Sequence, residues 1–583
     1  MKHHMTKRYM IQLRNKISFN TLLLIIFLVG VGFYFIGTPR TGDDYAFLEF
    51  FKPWLDSQPE IRSVHGYAMV ENGGNVLKYG YPFESLIETI EDGFYNDNFR
   101  LANIGMLLFI ILPRWMGPLI SLIIIFCIVR VTFRIIALDP DRSPLMLIYI
   151  VLLTVLLWSG DRLNELAYQA NYLWGVLWAA LLLRHLWGAS KSILLSLVLG
   201  LIVGWWHESL ALSVLVGLIA ISIVFRDCRC WKFYAALAAV FFGFSLLFLS
   251  PAALSRIHDV SDIWSLFVPY YIKMLLIDSI WFWLAIGLAI LIAMRIGWRH
   301  VFVNQIMTFL IVSGITSFAI MFRTSSVYRG GFWMYYASGL MMIYLLSIGF
   351  PKFFFKYNLK NIAVGLPLLL LVYTHWGYVG YYSVRLNKIV SEQISLWIEH
   401  PGETRFADVI PLQEMPLICG NLPLYRYGKI HYFEWITGYY RPYEEKRLGR
   451  DLNCYESMSS LIPERLRDVT ATSGCAMPGG SPVREYKGLL FMPETEVITA
   501  GLKSDDMSQG YFSFYFDYGK GYVGLVSLVT SFISEADGKR YCYLEPQVSW
   551  YITHFKHVKR ISPEISYIPR TRKNSTTEEK IRL

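Results

Sequence analysis

Long apolar runs recur along most of this 583-residue chain, and they constrain its fold more than any other feature. About 20 apolar residues suffice for a helix to cross a bilayer. Eleven runs reach or approach that length, at 17–37, 116–137, 144–158, 171–187, 191–206, 209–225, 231–250, 273–294, 301–322, 332–350 and 361–380. Hydrophobic residues make up 54% of the chain and charged residues 17%, more apolar surface than a soluble protein can bury. We therefore predict a membrane all-α fold with about 11 transmembrane helices.

The basic residues predict an orientation for these helices. Five Lys or Arg and no acid precede the first run, which favours a cytoplasmic N-terminus. With eleven helices, the inner segments contain thirteen Lys or Arg residues and three acidic residues. The outer turns contain four Lys or Arg residues and five acidic residues. The run 101–112 is too short to span comfortably, so we interpret it as an interfacial or re-entrant helix on the outer side. Membrane boundaries thus explain the net charge of +10, and we expect no nucleic-acid partner.

Two polar regions are predicted outside the membrane. The segment 38–100 holds eleven acids and five bases and forms an extracytoplasmic loop of the polytopic domain 1–380. Residues 381–583 form a C-terminal extracytoplasmic α+β domain, because alternating segments there are typical of strands. The strands are predicted at 511–518, 522–529, 540–544 and 548–554. An oxidising compartment would allow one or two disulfides, in a pairing that the sequence leaves open, among Cys419, Cys454, Cys475 and Cys542.

An acidic pair follows the first apolar run directly, in Gly42-Asp43-Asp44-Tyr45. Adjacent carboxylates repel each other and are costly to dehydrate at a membrane surface. That cost favours a general base, a metal ligand or a tightly paired group. A solvated loop pair is the alternative. A divalent cation would find no third ligand in the sequence, so no metal site is predicted.

Further polar residues lie at predicted outer helix ends. Glu165 and Asn171 precede or open the run 171–187, and His207-Glu208 lies between two runs. Histidine beside glutamate suits acid–base chemistry or phosphate binding, although both residues could simply be solvated beside interfacial tryptophans. Arg100, just before the short run 101–112, is expected on the same surface.

Three arginines are the remaining candidates, and each belongs to an outer turn: Arg256, Arg323 and Arg329. A guanidinium binds phosphate in a bidentate manner, so these side chains could hold an anion. Contact with lipid headgroups is the alternative. The chain has no P-loop, dinucleotide-binding fingerprint or zinc spacing, so an activated substrate would have to arrive in the membrane.

Together these motifs resemble the polytopic GT-C glycosyltransferases, and more narrowly the bacterial serotype-converting O-antigen glucosyltransferases and their uncharacterised relatives. The similar segments are Gly42–Tyr45, Asn98–Asn103, Asn171–Trp174, His207-Glu208, Ser250-Pro251 with Arg256, and Tyr328-Arg329. Two positions depart from the pattern. Those relatives more often have Asn-Glu in place of His207-Glu208, and Pro-Gly-Asn in place of Pro251-Ala252-Ala253.

The resemblance implies transfer of a hexose such as glucose from a polyprenyl phosphate to a surface glycan such as O-antigen, with inversion. It implies that Asp44, with Asp43 beside it, is the base, and that the donor phosphate is bound by Arg256, Arg323 and Arg329. The sugar ligands would be Glu165, Glu208, His207, Asn171 and Arg100. It further implies a bacterial inner membrane, a periplasmic C-terminal domain and no certain cofactor, with a divalent cation possible at the acidic pair.

Other functions stay open. A transporter or flippase of lipid-linked glycans would need polar residues at the bilayer midplane, where only Asp278 is a clear candidate. An O-antigen polymerase or ligase would also have large outer loops. The last alternative is a membrane scaffold without catalytic activity.

Overall fold

The computed structural model describes residues 18–37, 80–96, 99–158, 165–251, 279–324, 327–351, 365–381 and 383–384, and the strands given below. It also describes residues 44, 47, 51, 54, 253, 275–276, 388, 495 and 539. The chain forms two compact units. The first comprises residues 1–38, 71–266 and 271–384, and the second comprises residues 39–70, 267–270 and 385–583.

The described part of the first unit is mostly helical. Its helices are α1 (Phe19–Gly37), α2 (Phe83–Asn96), α3 (Leu101–Ile110), α4 (Met116–Ile135), α5 (Leu145–Trp158), α6 (Leu166–Trp187), α7 (Ile193–Trp206), α8 (Glu208–Val224), α9 (Trp231–Phe248), α10 (Ile280–Ile296), α11 (Trp298–Phe302), α12 (Gln305–Thr324), α13 (Val327–Gly349) and α14 (365–381). Each apolar run of the sequence overlaps at least one of these helices, and the short run 101–112 contains α3.

Six helices of the described part are long and apolar enough to cross a membrane: α1, α4, α6, α9, α12 and α13. Apolar helices with fewer residues are α3, α5, α7, α8 and α10. This set indicates a multi-pass membrane protein. The count of eleven spans and their orientation stay predictions.

Helices α7 and α9 pack closely because small residues line their contact. A Cβ atom at Gly200 would lie 2.8 Å from the Ala236 carbonyl oxygen, and one at Gly243 would lie 2.7 Å from the Trp205 nitrogen. A Cβ at Gly204 would overlap the carbonyl oxygen of Val240. Close backbone approach of this kind is typical of helix packing in membranes, where small residues permit it.

One end of α1 is held by the turn between α4 and α5. Arg130 binds both carboxylate oxygens of Asp141, at 2.6 and 2.9 Å. The hydroxyls of Ser18 and Thr21 donate to the same carboxylate, at 2.8 and 2.7 Å. The buried Asn20 amide donates to two carbonyls of that turn. Both carboxylate oxygens of Asp141 thus accept hydrogen bonds, which hold α1 against α4.

The second unit contains a seven-stranded antiparallel sheet, with strand order β1-β2-β3-β6-β5-β4-β7. The strands are β1 (Arg467–Asp468), β2 (Arg484–Tyr486), β3 (Leu489–Pro493), β4 (Gly510–Asp517), β5 (Tyr522–Ile533), β6 (Arg540–Leu544) and β7 (Pro563–Ile568). Strands β4, β5 and β6 coincide closely with three predicted segments, and the fourth, 548–554, lies outside the described residues. The wider α+β domain stays a prediction.

The cysteines divide between the two units. Cys127, Cys228 and Cys230 are free thiols in the first unit. Cys542 lies on β6 of the second unit. The remaining three, Cys419, Cys454 and Cys475, lie outside the described residues, so the predicted disulfides stay predictions.

Candidate functional site

An ion pair joins two residues that the sequence placed on one surface. Arg100 precedes α3, and Glu208 is the first residue of α8. The Arg100 Nε donates to the Glu208 Oε2 across 2.8 Å. Their side chains are 19% and 30% exposed, so water weakens this pair less than it would weaken a surface pair. The glutamate also lies where the partial positive charge of a helix N-terminus favours an anion.

His207 is the residue at which α7 ends and α8 begins. Its backbone is extended, at φ −158° and ψ 140°, and its side chain is buried. The ring Nδ1 accepts a hydrogen bond from the backbone N–H of Ser209 at 3.2 Å, and so caps α8. Because Nδ1 is an acceptor, the neutral ring carries its proton on Nε2. The Nδ1 lies 3.8 Å from the Glu208 Oε2.

Asn171 lies in a π-helical turn, Gln169–Trp174, inside α6. Its Nδ2 donates to the side-chain oxygen of Asn103 at 3.0 Å and to the Ala167 carbonyl at 2.8 Å. The next residue, Tyr172, places its ring 5.0 Å from the His207 ring. Turns of this kind are rare and often mark functional positions.

These contacts bring five polar residues together, which we call the polar ring: Arg100, Asn103, Asn171, His207 and Glu208. The backbone N–H of Asn103 donates to the Arg100 carbonyl at 3.1 Å, which links the ion pair to the two asparagines. The Tyr172 contact links Asn171 to His207, which is covalently joined to Glu208. The polar ring therefore combines residues from three separate parts of the sequence.

Neighbouring side chains fix the backbone of the polar ring. The indole of Trp206 donates to the Ala170 carbonyl in the π-helical turn at 2.9 Å. The indole of Trp205 donates to the Phe99 carbonyl at 3.0 Å, just before Arg100. At the first residue of that turn, the Gln169 side chain accepts a hydrogen bond from the Ser121 hydroxyl at 2.6 Å. Pre-formed backbones of this kind reduce the entropy lost when a ligand binds.

The electrostatics of the ring favour binding over proton transfer by Glu208. This residue lies in the turn between two apolar runs. Burial alone would raise the pKa of its carboxyl, but the charge and hydrogen bond of Arg100 hold that pKa below its usual value. A carboxylate with a depressed pKa is a weak proton acceptor. Glu208 is therefore better suited to bind a hydroxyl than to act as a general base.

The structure does not describe every predicted site residue. Glu165 is buried and precedes α6, and Asp44 is a buried helical residue of the second unit. Arg323 and Arg329 are residues of α12 and α13 whose side chains are outside the described part. Asp43 and Arg256 lie outside the described residues. The described residues hold no cluster of three His, Cys, Asp or Glu side chains that could bind a metal.

Comparison with known proteins assigns no family to the chain. No family model matches it, no curated protein matches it, and no solved structure matches it. Its chemistry must therefore be inferred from the groups of the site itself.

Proposed function

We propose that this chain is a multi-pass membrane glycosyltransferase. It moves a hexose such as glucose from a polyprenyl phosphate to a surface glycan such as O-antigen. The observation that carries the proposal is the polar ring. Buried or half-buried polar groups are costly in an apolar helical protein, and by default they indicate a functional site. Asparagine, histidine and carboxylate side chains also supply the donors and acceptors with which a sugar hydroxyl can form hydrogen bonds.

The reaction we propose is a single displacement at the anomeric carbon. Asp44 accepts the proton of an acceptor hydroxyl, whose oxygen attacks the face of the sugar opposite the phosphate. The bond between the anomeric carbon and the phosphate oxygen breaks, so polyprenyl phosphate leaves with the electron pair and the configuration inverts. General-base assistance of this kind contributes about 10²–10⁴-fold to a rate.

We assign the leaving phosphate to Arg256, Arg323 and Arg329, since guanidinium groups stabilise phosphate charge as it develops. Glu165, Asn171, His207, Glu208 and Arg100 are assigned to the sugars. A divalent cation at Asp43 and Asp44 would be an addition to this scheme, and no step depends on it.

The proposal includes the topology that the sequence predicts. Eleven spans would place the N-terminus in the cytoplasm, and the loop 38–100 and residues 381–583 in the periplasm of a bacterium. Helices α8 and α10 have 17 residues each, which is enough for a span of about 17–25 residues. Helices α5 and α7 have 14 residues each and would span only where the bilayer is thinner.

The test is mass spectrometry of the surface polysaccharide from the native bacterium lacking this gene. The deletion strain is complemented at equal protein levels with the wild type, Asp44→Asn or Asp227→Asn. Asp227 is the matched control, because it is an exposed aspartate of a short turn. We expect one hexose mass per repeat with the wild type and the control, and a loss of at least about 100-fold with Asp44→Asn.

Two other results would redirect the proposal. If Asp44→Asn adds the hexose normally, Asp44 is not the base and Glu165 becomes the next candidate. If no strain differs in decoration, but polysaccharide length or export changes, the transferase assignment is wrong and a polymerase, ligase or transporter replaces it.

A further inference from the structure

The side-chain amide of Asn171 has a defined orientation. Both hydrogens of its Nδ2 are used, one by the Asn103 side-chain oxygen at 3.0 Å and one by the Ala167 carbonyl at 2.8 Å. Exchanging the amide nitrogen and oxygen would place an acceptor against two acceptors, so the bonding fixes Oδ1. The remaining hydrogen-bonding capacity of Asn171 is therefore that of an acceptor alone.

That acceptor is buried and unused. Asn171 is 8% exposed, and no described residue offers a donor within hydrogen-bond distance of its Oδ1. A buried polar atom without a hydrogen bond costs about 1–3 kcal/mol. The same atom lies in the π-helical turn, whose irregular backbone is held by the Trp206 indole. The Asn171 Oδ1 is therefore positioned to accept a hydrogen bond from a ligand that carries a donor.

The charges of the polar ring restrict the chemistry of that ligand. The positive charge of Arg100 is matched by the carboxylate of Glu208 at 2.8 Å. His207 uses its Nδ1 to cap α8. An ionised phosphate offers only acceptors, so it would repel the Asn171 oxygen. A sugar hydroxyl offers a donor and can satisfy that oxygen.

We propose that Asn171 Oδ1 accepts a hydrogen bond from one hydroxyl of the bound sugar, so that the polar ring selects the sugar and not the phosphate. This inference rests on the proposed function and deepens it. It makes Asn171 a specificity-determining residue: a sugar lacking that hydroxyl leaves the buried oxygen unsatisfied. A site that bonds a hydroxyl discriminates strongly against analogues without it.

The test measures equilibrium binding to the full chain in lipid nanodiscs. The probes are farnesyl phosphate alone and farnesyl phosphate carrying glucose, galactose or mannose. The hexose that binds most tightly is then compared with its 2-, 3-, 4- and 6-deoxy forms. The variants are Asn171→Leu and Asn171→Ala. Asn20→Leu is the control. Asn20 lies near the N-terminus of α1 and is also a buried asparagine whose Nδ2 donates two hydrogen bonds.

We expect one deoxy form to bind about tenfold more weakly to the wild type, as a lost hydrogen bond predicts. The Asn171 variants should bind that form and the parent sugar equally, whereas Asn20→Leu should keep the tenfold difference.

Four deoxy forms that bind as well as the parent would overturn the inference, since water would then be the donor. An unchanged difference in the Asn171 variants would also overturn it, as would hexosyl probes that bind no better than farnesyl phosphate. The wild-type series decides the matter even if the variants do not fold.

Failure of the proposed function would look different. Selective binding of a hydroxyl, without hexose transfer to any surface glycan, would leave the sugar site in place and refute the transferase. Hexose transfer by a protein that binds all four deoxy forms as tightly as the parent sugar would support the transferase and refute the role of Asn171.

Discussion

Arg100 donates to Glu208 across 2.8 Å, although 108 positions separate the two residues in the sequence. The contact joins the start of α3 to the start of α8. It also brings a short helix, which is too short to span a bilayer comfortably, against the break between two longer ones. The position of α3 therefore depends on an electrostatic contact as well as on apolar packing.

The first prediction concerns the strength of this ion pair. Arg100→Leu and Glu208→Leu should each lower the free energy of unfolding by about 2 kcal/mol, because each removes one member of a half-buried ion pair. The double variant should lose less than the sum, with a coupling of about 1–2 kcal/mol. Thermal unfolding in detergent measures all four proteins.

The control for this cycle is the exposed pair of Arg142 and Asp139. Its charged atoms are 3.5 Å apart, and its side chains are 80% and 52% exposed. Alanine substitutions there should show a coupling of no more than about 0.5 kcal/mol. Equal coupling in the two cycles would mean that burial does not strengthen the pair of Arg100 and Glu208.

The sequence predicted the members of the polar ring better than their contacts. Asn171, His207 and Glu208 could be grouped because polar residues at the ends of apolar runs are conspicuous. The partner of Glu208 could not be identified, since local patterns carry no information about residues 108 positions apart. The π-helical turn was also missed, because apolar periodicity does not distinguish it from an ordinary helix.

Two further differences have physical causes. The capping role of His207 was missed because histidine is not among the usual N-cap residues. In the second unit, the alternation of Tyr511–Tyr518 located β4 to within one residue, because the strand period of two is a strong local signal. Sheet order, in contrast, depends on long-range pairing that no local pattern contains.

The second prediction concerns the contact between α7 and α9. Gly204→Ala should destabilise the protein by about 1–3 kcal/mol, because the new Cβ would overlap the Val240 carbonyl and force the helices apart. Gly287→Ala on α10 is the control, since among the described residues no atom outside its own stretch of helix lies within 4 Å of the added Cβ. That change should be neutral or slightly stabilising. Similar unfolding midpoints for the two variants would refute close packing at Gly204.

The third prediction separates capping from chemistry at His207. His207→Ala should lower the free energy of unfolding by about 1 kcal/mol, because α8 loses the acceptor for the Ser209 N–H. His207→Asn should restore most of that loss, since asparagine is a favoured N-cap residue. Thermal unfolding measures stability, and hexose transfer is measured on the same samples. A His207→Asn variant that is stable but inactive would show that the imidazole has a role beyond capping.

The fourth prediction concerns pH and the carboxylate that holds α1. Burial raises the pKa of Asp141, but the hydrogen bond from Arg130, those from Thr21 and Ser18, and the Arg130 charge together lower it below its usual value of 3.8. Because the folded pKa is depressed, the ionised carboxylate stabilises the fold above pH 3.8, and this contribution is lost as the pH falls below that value.

The wild type should exceed Asp141→Asn in unfolding free energy by about 1–2 kcal/mol from pH 5 to 8. That difference should shrink below about pH 4. Asp227→Asn, which removes an exposed aspartate, should change the unfolding midpoint little across the same range. A gap between wild type and Asp141→Asn that stays constant down to pH 3 would contradict the depressed pKa.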